Sequence, residues 1–326
     1  MQKQINLHNM SSQLNTRNLL LPFISCLLSL LVSCQSGLDE ASSQEGESTV
    51  NFLVTNYRQI SFDDLSGVTR AGEKIAMTLR NLSLTIFDAE TYKQVGSTIL
   101  HESGDYSDNA TTAKAFSNFS VSLPYGHYYV LVLGYNNTYK CNIASLNHIS
   151  WENDYVPNTF LYCEEFTLDK DANLNREVTL KHVVAAFRVE TEDAAPAELK
   201  KMRFISSAGG TVLDATKGFT SQNTGRTSDI VVPATKLGVV DTFTVYVFLP
   251  EEQIKTNYTV QALGVGDAVL YQKRFSDVPL RINYLTEWEG IFFEEDGDDT
   301  PDVPDMQNGL NIRWTTAWAD TIRLTP

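Results

Sequence analysis

The chain has 326 residues, with 25 Lys and Arg against 40 Asp and Glu, a formal net charge of −15. That acidity argues against a nucleic-acid partner, because a phosphate backbone demands a basic face. Hydrophobic residues make up 42% of the chain, enough for a packed core, and the length suits one large domain or two ordinary ones.

Residues 1–33 read as a leader. Lys3 and Arg17 precede Leu19–Val32, a run of 14 mostly apolar residues. A basic segment, a short apolar segment and small residues before a cleavage point define a secretory signal. The run is shorter than the ~20 residues that a membrane span needs. Leu31-Val32-Ser33-Cys34 closes it in the order of a bacterial lipobox, so Cys34 is expected to carry lipid, with cleavage before it. A plain secretory signal with an incidental Cys is the alternative, and Met10 is a second candidate start. Stable attachment takes more than one acyl chain, each buried methylene adding ~0.8 kcal/mol. Beyond the leader the balance sharpens to 23 basic against 40 acidic groups. Residues 34–48, polar, small and acidic after Cys34, read as a tether.

From Val50 onward the pattern has period two, the signature of strands with one buried face. Val50, Phe52 and Val54 alternate with polar residues; so do Leu82, Leu84 and Ile86, and then Phe119, Val121 and Leu123. Pro124-Tyr125-Gly126 turns the chain into Tyr128–Leu133, a continuous apolar run expected to be buried on both faces. A strand is expected near Phe160–Phe166. Polar residues 169–173 suggest a boundary, giving an N-terminal sandwich over 49–175 and a C-terminal one over 176–326. Strands of the second are expected around Val183–Val189, Met202–Phe204, Phe243–Leu249 and Tyr258–Ala262. Pro196 precedes a short helical candidate, Ala197–Lys201. Glu294–Asn308 holds seven acidic residues and two Pro and reads as an exposed loop before a terminal strand from Leu310 that carries Ile312 and Trp314. The fold class is all-β, in tandem sandwiches.

No catalytic constellation stands out: the chain lacks Gly-x-Ser-x-Gly, His-Glu-x-x-His and a glycine-rich phosphate loop. Paired carboxylates for glycoside hydrolysis would meet only in the fold. His101, His127, His148 and His182 read as structural, and no cofactor is expected. The acidic run at 294–299 does not match a calcium loop. Cys26 leaves with the leader and Cys34 takes lipid, so Cys141 and Cys163 remain as an even pair in an oxidising compartment. A disulfide between them would contribute ~3 kcal/mol in the chain-entropy model. A partial zinc site of Cys141, His148 and Cys163 is the rival reading, and it lacks a fourth ligand.

Several stretches in order then carry a resemblance. Val68-Thr69-Arg70-Ala71 precedes the strand ending Leu84-Thr85-Ile86-Phe87-Asp88-Ala89. Leu123-Pro124-Tyr125-Gly126-His127-Tyr128 leads into the buried strand, and residues 178–185, Val-Thr-Leu-Lys-His-Val-Val-Ala, open the second half. Asn283-Tyr284-Leu285-Thr286 is followed by Gly290-Ile291-Phe292-Phe293. With the lipobox, this order resembles the fimbrillin superfamily of Bacteroidales, the lipoprotein-derived subunits of type V pili and their related anchors. His182 stands where Arg is expected in that strand, and Asp39-Glu40 resembles the surface-export signal of Bacteroidetes lipoproteins.

The resemblance implies two transthyretin-like β-sandwiches, no enzymatic activity, a part in adhesion, other fimbrial subunits and host or bacterial surface ligands as partners, an outer-membrane lipid contact through Cys34, and a place on the cell surface. It further implies that an arginine-specific protease removes the first strand by cutting at Arg70-Ala71, with Arg58 a second candidate. A strand from the next subunit then fills the groove, and Leu310–Pro326 is the candidate donor. A lipid-retained anchor is the alternative role. A surface glycan-binding lipoprotein is another, with Trp151, Tyr155, Trp288 and Trp318 as an aromatic platform, although core or interface aromatics are the favoured reading of these four residues.

Overall fold

The computed structural model describes residues 46–57, 79–105, 115–172, 174–294 and 320–324. Its regular structure is strand, apart from short 3-10 turns. The first half supplies β1 (Glu47–Tyr57), β2 (Asn81–Asp88), β3 (Gln94–Glu102), β4 (Asn118–Pro124), β5 (Gly126–Tyr135), the small hairpin β6 (Cys141–Ser145) and β7 (His148–Trp151), then β8 (Thr159–Leu168) and β9 (Asn175–His182). Seven of these form a single sheet in the order β3-β2-β5-β8-β9-β1-β4.

That sheet curls on itself. Period-two alternation gives each strand one apolar face, and the faces of β1, β2, β4, β5, β8 and β9 meet in one core around Phe52, Leu84, Phe119, Val132, Phe160 and Val178. The two edge strands approach each other: His101 of β3 stacks on Phe119 of β4 at 4.3 Å, and its Nδ1 lies 2.9 Å from the Phe116 carbonyl. β2 departs from the expected alternation, since Ser83 and Thr85 are as buried as its leucines. The Thr85 hydroxyl is satisfied by Thr98 of β3 at 2.8 Å.

The expected boundary near residue 175 is corrected. β9, read from sequence as opening the second sandwich, is a strand of the first sheet, and Val178 and Leu180 are buried in the first core. The second half begins at β10 (Ala185–Thr191), followed by β11 (Lys201–Ser206), β12 (Arg226–Val231), β13 (Thr242–Val247), β14 (Gln253–Leu263), β15 (Val269–Arg281), β16 (Tyr284–Gly290) and β17 (Asp320–Leu324). These make two four-stranded sheets, β13-β10-β16-β17 and β12-β11-β14-β15, around a core that includes Phe187, Phe204, Tyr258 and Trp288. The helical candidate at 197–201 is a single turn instead, in which the Leu199 N–H donates to the Pro196 carbonyl at 3.1 Å. Leu199 is fully buried in the sandwich core, and β11 starts immediately afterwards.

A third core joins the halves. Leu131, Leu133, Ile149 and Trp151 pack with Val184, Ala186, Leu213, Phe248 and Leu285. Ile149 and Leu213 exchange backbone hydrogen bonds at 3.0 and 2.8 Å, so the β6–β7 hairpin is stitched to the second half. The described residues of the two halves accordingly form one compact unit.

Candidate functional site

The strand expected to be displaceable is an interior strand. β1 pairs antiparallel with β4, from Glu47 opposite Pro124 to Leu53 opposite Asn118. On its other side it pairs parallel with β9, with a bulge between Val54 and Asn56. Side chains reinforce both seams: Asn51 Nδ2 donates to Asn175 Oδ1 at 3.1 Å, and the hydroxyls of Thr49 and Ser122 meet at 3.1 Å. The Asn51 N–H donates to the Leu174 carbonyl at 2.7 Å, and that of Val54 to the Ser117 carbonyl at 2.9 Å.

Sequence dictates this placement directly. Val50, Phe52 and Val54 are essentially unexposed, while Leu53 between them is 41% exposed. A strand with such faces has to lie on a sheet with the apolar set inward. At its entry, Gly46 accepts the N–H of Tyr125 at 3.1 Å, and any Cβ at this position would collide with the Tyr125 ring. Without β1, the facing edges of β4 and β9 would present unpaired N–H and C=O groups above an apolar slot. An unpaired edge of that kind is a template for an incoming strand.

Comparisons with known proteins give structural likeness only. No protein-family model matches the chain, and no curated protein matches it. The solved structures it resembles include adhesin candidates and fimbrial proteins. A candidate adhesin from Bacteroides ovatus is 13% identical at a TM-score of 0.43, covering 85% of this chain and 100% of its own. The fimbrial anchor protein Mfa2 from Porphyromonas gingivalis is 12% identical at 0.34, covering 69% and 82%. A fimbrial assembly protein from Parabacteroides distasonis is 18% identical at 0.36, covering 76% and 91%. Likeness at this distance transfers no residue role.

Cys34, Arg70, Ala71, Leu310, Ile312 and Trp314 lie outside the described residues. In the sequence, Arg70-Ala71 falls between β1 and β2. The C-terminal segment 310–326 contains β17, which pairs parallel with β16 from Asp320 opposite Tyr284 to Leu324 opposite Trp288, at the edge of its sheet.

The Cys141–Cys163 disulfide is corrected: both thiols are free. Cys141 opens β6 opposite Trp151, whereas Cys163 sits within β8 opposite Leu131, so each is held by a different ladder. Burial pushes both thiols up to about 12, which keeps them protonated and unreactive. Among the described residues no three His, Cys, Asp or Glu side chains converge on a metal position, Cys141, His148 and Cys163 included.

The aromatic platform is also corrected. Trp151 is buried between the halves, stacked on Phe248 at 5.9 Å and edge-on to Tyr135 at 5.5 Å. Trp288 is buried in the second sandwich against Phe275. Tyr155 packs separately on Tyr139, and Trp318 lies outside the described residues. Large aromatic area is worth more inside than exposed, so these rings were drawn into cores.

The histidines are placed by neighbours. His182 is buried and stacked on Phe160, with Nδ1 2.9 Å from the Asn283 side chain and Nε2 2.5 Å from that of Asn158. Both partner atoms are amide oxygens, and the neutral imidazole donates its N–H to one of them. Burial pushes His182 down to about 3, opposed by its bond to Asn283. Sequence reasoning missed that β9 flanks β1. Parallel pairing is between strands distant in sequence, and the alternation of Val178, Leu180 and His182 names no partner.

Proposed function

We propose that this chain is a structural subunit of a cell-surface fimbria of the type V kind. In this reading it is exported as a lipoprotein through Cys34 and assembled by removal of its first strand. One observation carries the reading: β1 lies between β4 and β9, fills their core with Val50, Phe52 and Val54, and is followed by a segment containing Arg70-Ala71. A cut at that bond would separate β1 covalently from the rest of the fold. The strand would then be held only by its ladders and its apolar face.

Its departure would leave a groove matched to an extended peptide, which adds affinity through backbone bonds and specificity through alternate side-chain pockets. The C-terminal segment 310–326 is the donor in this reading. Donation head to tail does not close on itself and therefore builds a filament. The chain is not an enzyme in this reading; its partners are other fimbrial subunits and, before processing, the outer-membrane lipid. Retention of an intact Arg70-Ala71 bond and of the lipid would instead make it the anchor at the pilus base.

Treatment with an arginine-specific protease, followed by size-exclusion chromatography and electron microscopy, tests the assembly. Filaments of trimmed protein support the subunit role; trimmed protein that loses β1 and stays monomeric counts against it. N-terminal sequencing of surface material separates the roles, since free Ala71 marks an assembled subunit and a blocked Cys34 an anchor.

A further inference from the structure

In the turn between β2 and β3, one side chain is held in a costly place. Tyr92, in the β2–β3 turn, has φ of 56°, the left-handed region that bulky residues avoid. The turn is fixed from several directions. The Asp88 carboxylate accepts the N–H and hydroxyl of Thr91, both at 2.7 Å, and the N–H of Glu90 at 3.2 Å. The Tyr92 N–H donates to the Asp88 carbonyl at 2.9 Å, and the Ala89 N–H to the His127 carbonyl at 3.0 Å.

The outcome is a ring 56% exposed yet stacked on that of Tyr129, centroids 5.8 Å apart and 25° between planes. Tyr129 of β5 stands directly opposite Glu165 of β8 and donates its hydroxyl to Glu165 Oε2 at 3.4 Å. Glu165 Oε1 lies 3.1 Å from His127 Nε2, both side chains being 46% exposed. Phe87 of β2 pairs with Tyr129 on its other side. An exposed stack at best offsets the cost of a left-handed tyrosine, so stability does not account for this residue here. A glycine would meet the turn without strain.

We propose that Tyr92, Tyr129, Glu165 and His127 form a binding ledge for a pyranose residue of a glycan. The exposed Tyr92 ring offers a flat apolar face for the C–H face of the sugar. The Glu165 carboxylate accepts from vicinal hydroxyls, and His127 and the phenols exchange hydrogen bonds with the remaining oxygens. A purely apolar ligand would strip water from the half-exposed Glu165–His127 pair without replacing its hydrogen bonds. An anion would face Glu165, Asp88 and Glu90, with Lys93 and His127 as the nearby basic groups. The site is separate from the strand-exchange groove, so it does not rest on the assembly reading.

The test uses the purified, unprocessed protein. An array of defined mono- to tetrasaccharides finds the preferred pyranose, and titration of its methyl glycoside followed by NMR gives the affinity. Tyr92→Gly is expected to weaken binding at least tenfold while its melting temperature equals or exceeds that of the parent, which excludes misfolding as the cause. Tyr92→Phe keeps the stack and is expected to lose less than threefold; Glu165→Gln is expected to weaken binding. The proposal is overturned if no pyranoside binds at millimolar concentration, if Tyr92→Gly binds normally, or if a lysine-rich peptide binds the ledge in place of every sugar. Each result is read on monomer, so failure here leaves filament formation untouched.

Discussion

Phe52 of β1 meets Phe166 of β8 edge to face, ring centroids 5.7 Å apart and 74° between planes. The contact crosses the interior of the curled sheet and fastens the first strand to the opposite wall. Phe52→Ala would remove a fully buried ring, and such truncations cost about 3–5 kcal/mol. Intact protein carrying this substitution should show that loss in urea unfolding. After cleavage at Arg70 it should also release β1 faster than the parent does. An unchanged midpoint would mean that β1 contributes little to the core.

How far such features could be read in advance depended on whether their cause was local. The alternation of Val50, Phe52 and Val54, and the continuous run through Val130–Leu133, located β1 and β5, because a strand's two faces are written into adjacent residues. β3 was missed because none of its residues is buried and its apolar face is weak. The pairing of β1 with β9 could not be read, since parallel neighbours share no turn. Trp151 and Trp288 are buried, as the core reading of these aromatics expects, though nothing local reports which rings the two halves will enclose. Tyr92 gave no signal either: its significance lies in a backbone angle and in Tyr129, thirty-odd residues away.

His182 makes stability depend on pH. Its folded pKa, pushed down to about 3 chiefly by burial, lies below the ordinary value of 6.5. The unfolded chain therefore binds the extra proton between those values, and stability falls as pH drops through 6.5 toward 3. The slope from this one group is at most ~1.4 kcal/mol per pH unit. Urea midpoints measured from pH 7.5 to 4 should decline, and His182→Gln should flatten that part of the decline. A parent and variant with parallel profiles would show that another group is responsible.

Arg188 and Glu287 stand opposite each other on the parallel strands β10 and β16, with Nη1 and Oε2 at 3.2 Å and little exposure of either side chain. Arg188 Nε also donates to Thr244 Oγ1 at 3.0 Å. Removing one partner of a buried pair leaves a charge uncompensated and costs about 3–5 kcal/mol, whereas replacing both with apolar residues is often near neutral. Arg188→Met alone is expected to lower the unfolding free energy by that amount. Arg188→Met with Glu287→Leu should recover much of it. Additive losses in the double variant would mean that the two residues act independently.

The two cysteines are expected to behave as partly buried, poorly ionised thiols. Native protein should react slowly with a thiol reagent at pH 8, because burial holds Cys141 and Cys163 near 12. Unfolding in denaturant without reductant should then release two reactive groups from the mature chain. Intact mass should show no loss of two hydrogens. Recovery of no free thiol would restore the disulfide and require the β6–β7 hairpin to shift toward β8.

The C-terminal strand supplies the last prediction. β17 has five residues, one neighbour and a parallel ladder, which is slightly weaker per residue than an antiparallel one. β10, by contrast, is held on both sides, antiparallel by β13 and parallel by β16. Among the described residues, the backbone ladder to be broken on release of β17 is this one short ladder with β16. Its amides should exchange with solvent faster than those of β16. Deleting residues 310–326 should leave a folded monomer, because the described residues of the first core and of the joining core all precede residue 310. If this segment donates the strand, the truncated chain, after cleavage at Arg70, should accept a peptide of sequence 310–326 but fail to polymerise alone. Truncated protein that still forms filaments would place the donor elsewhere, and truncated protein that binds no such peptide would show that the β4–β9 groove is not its acceptor.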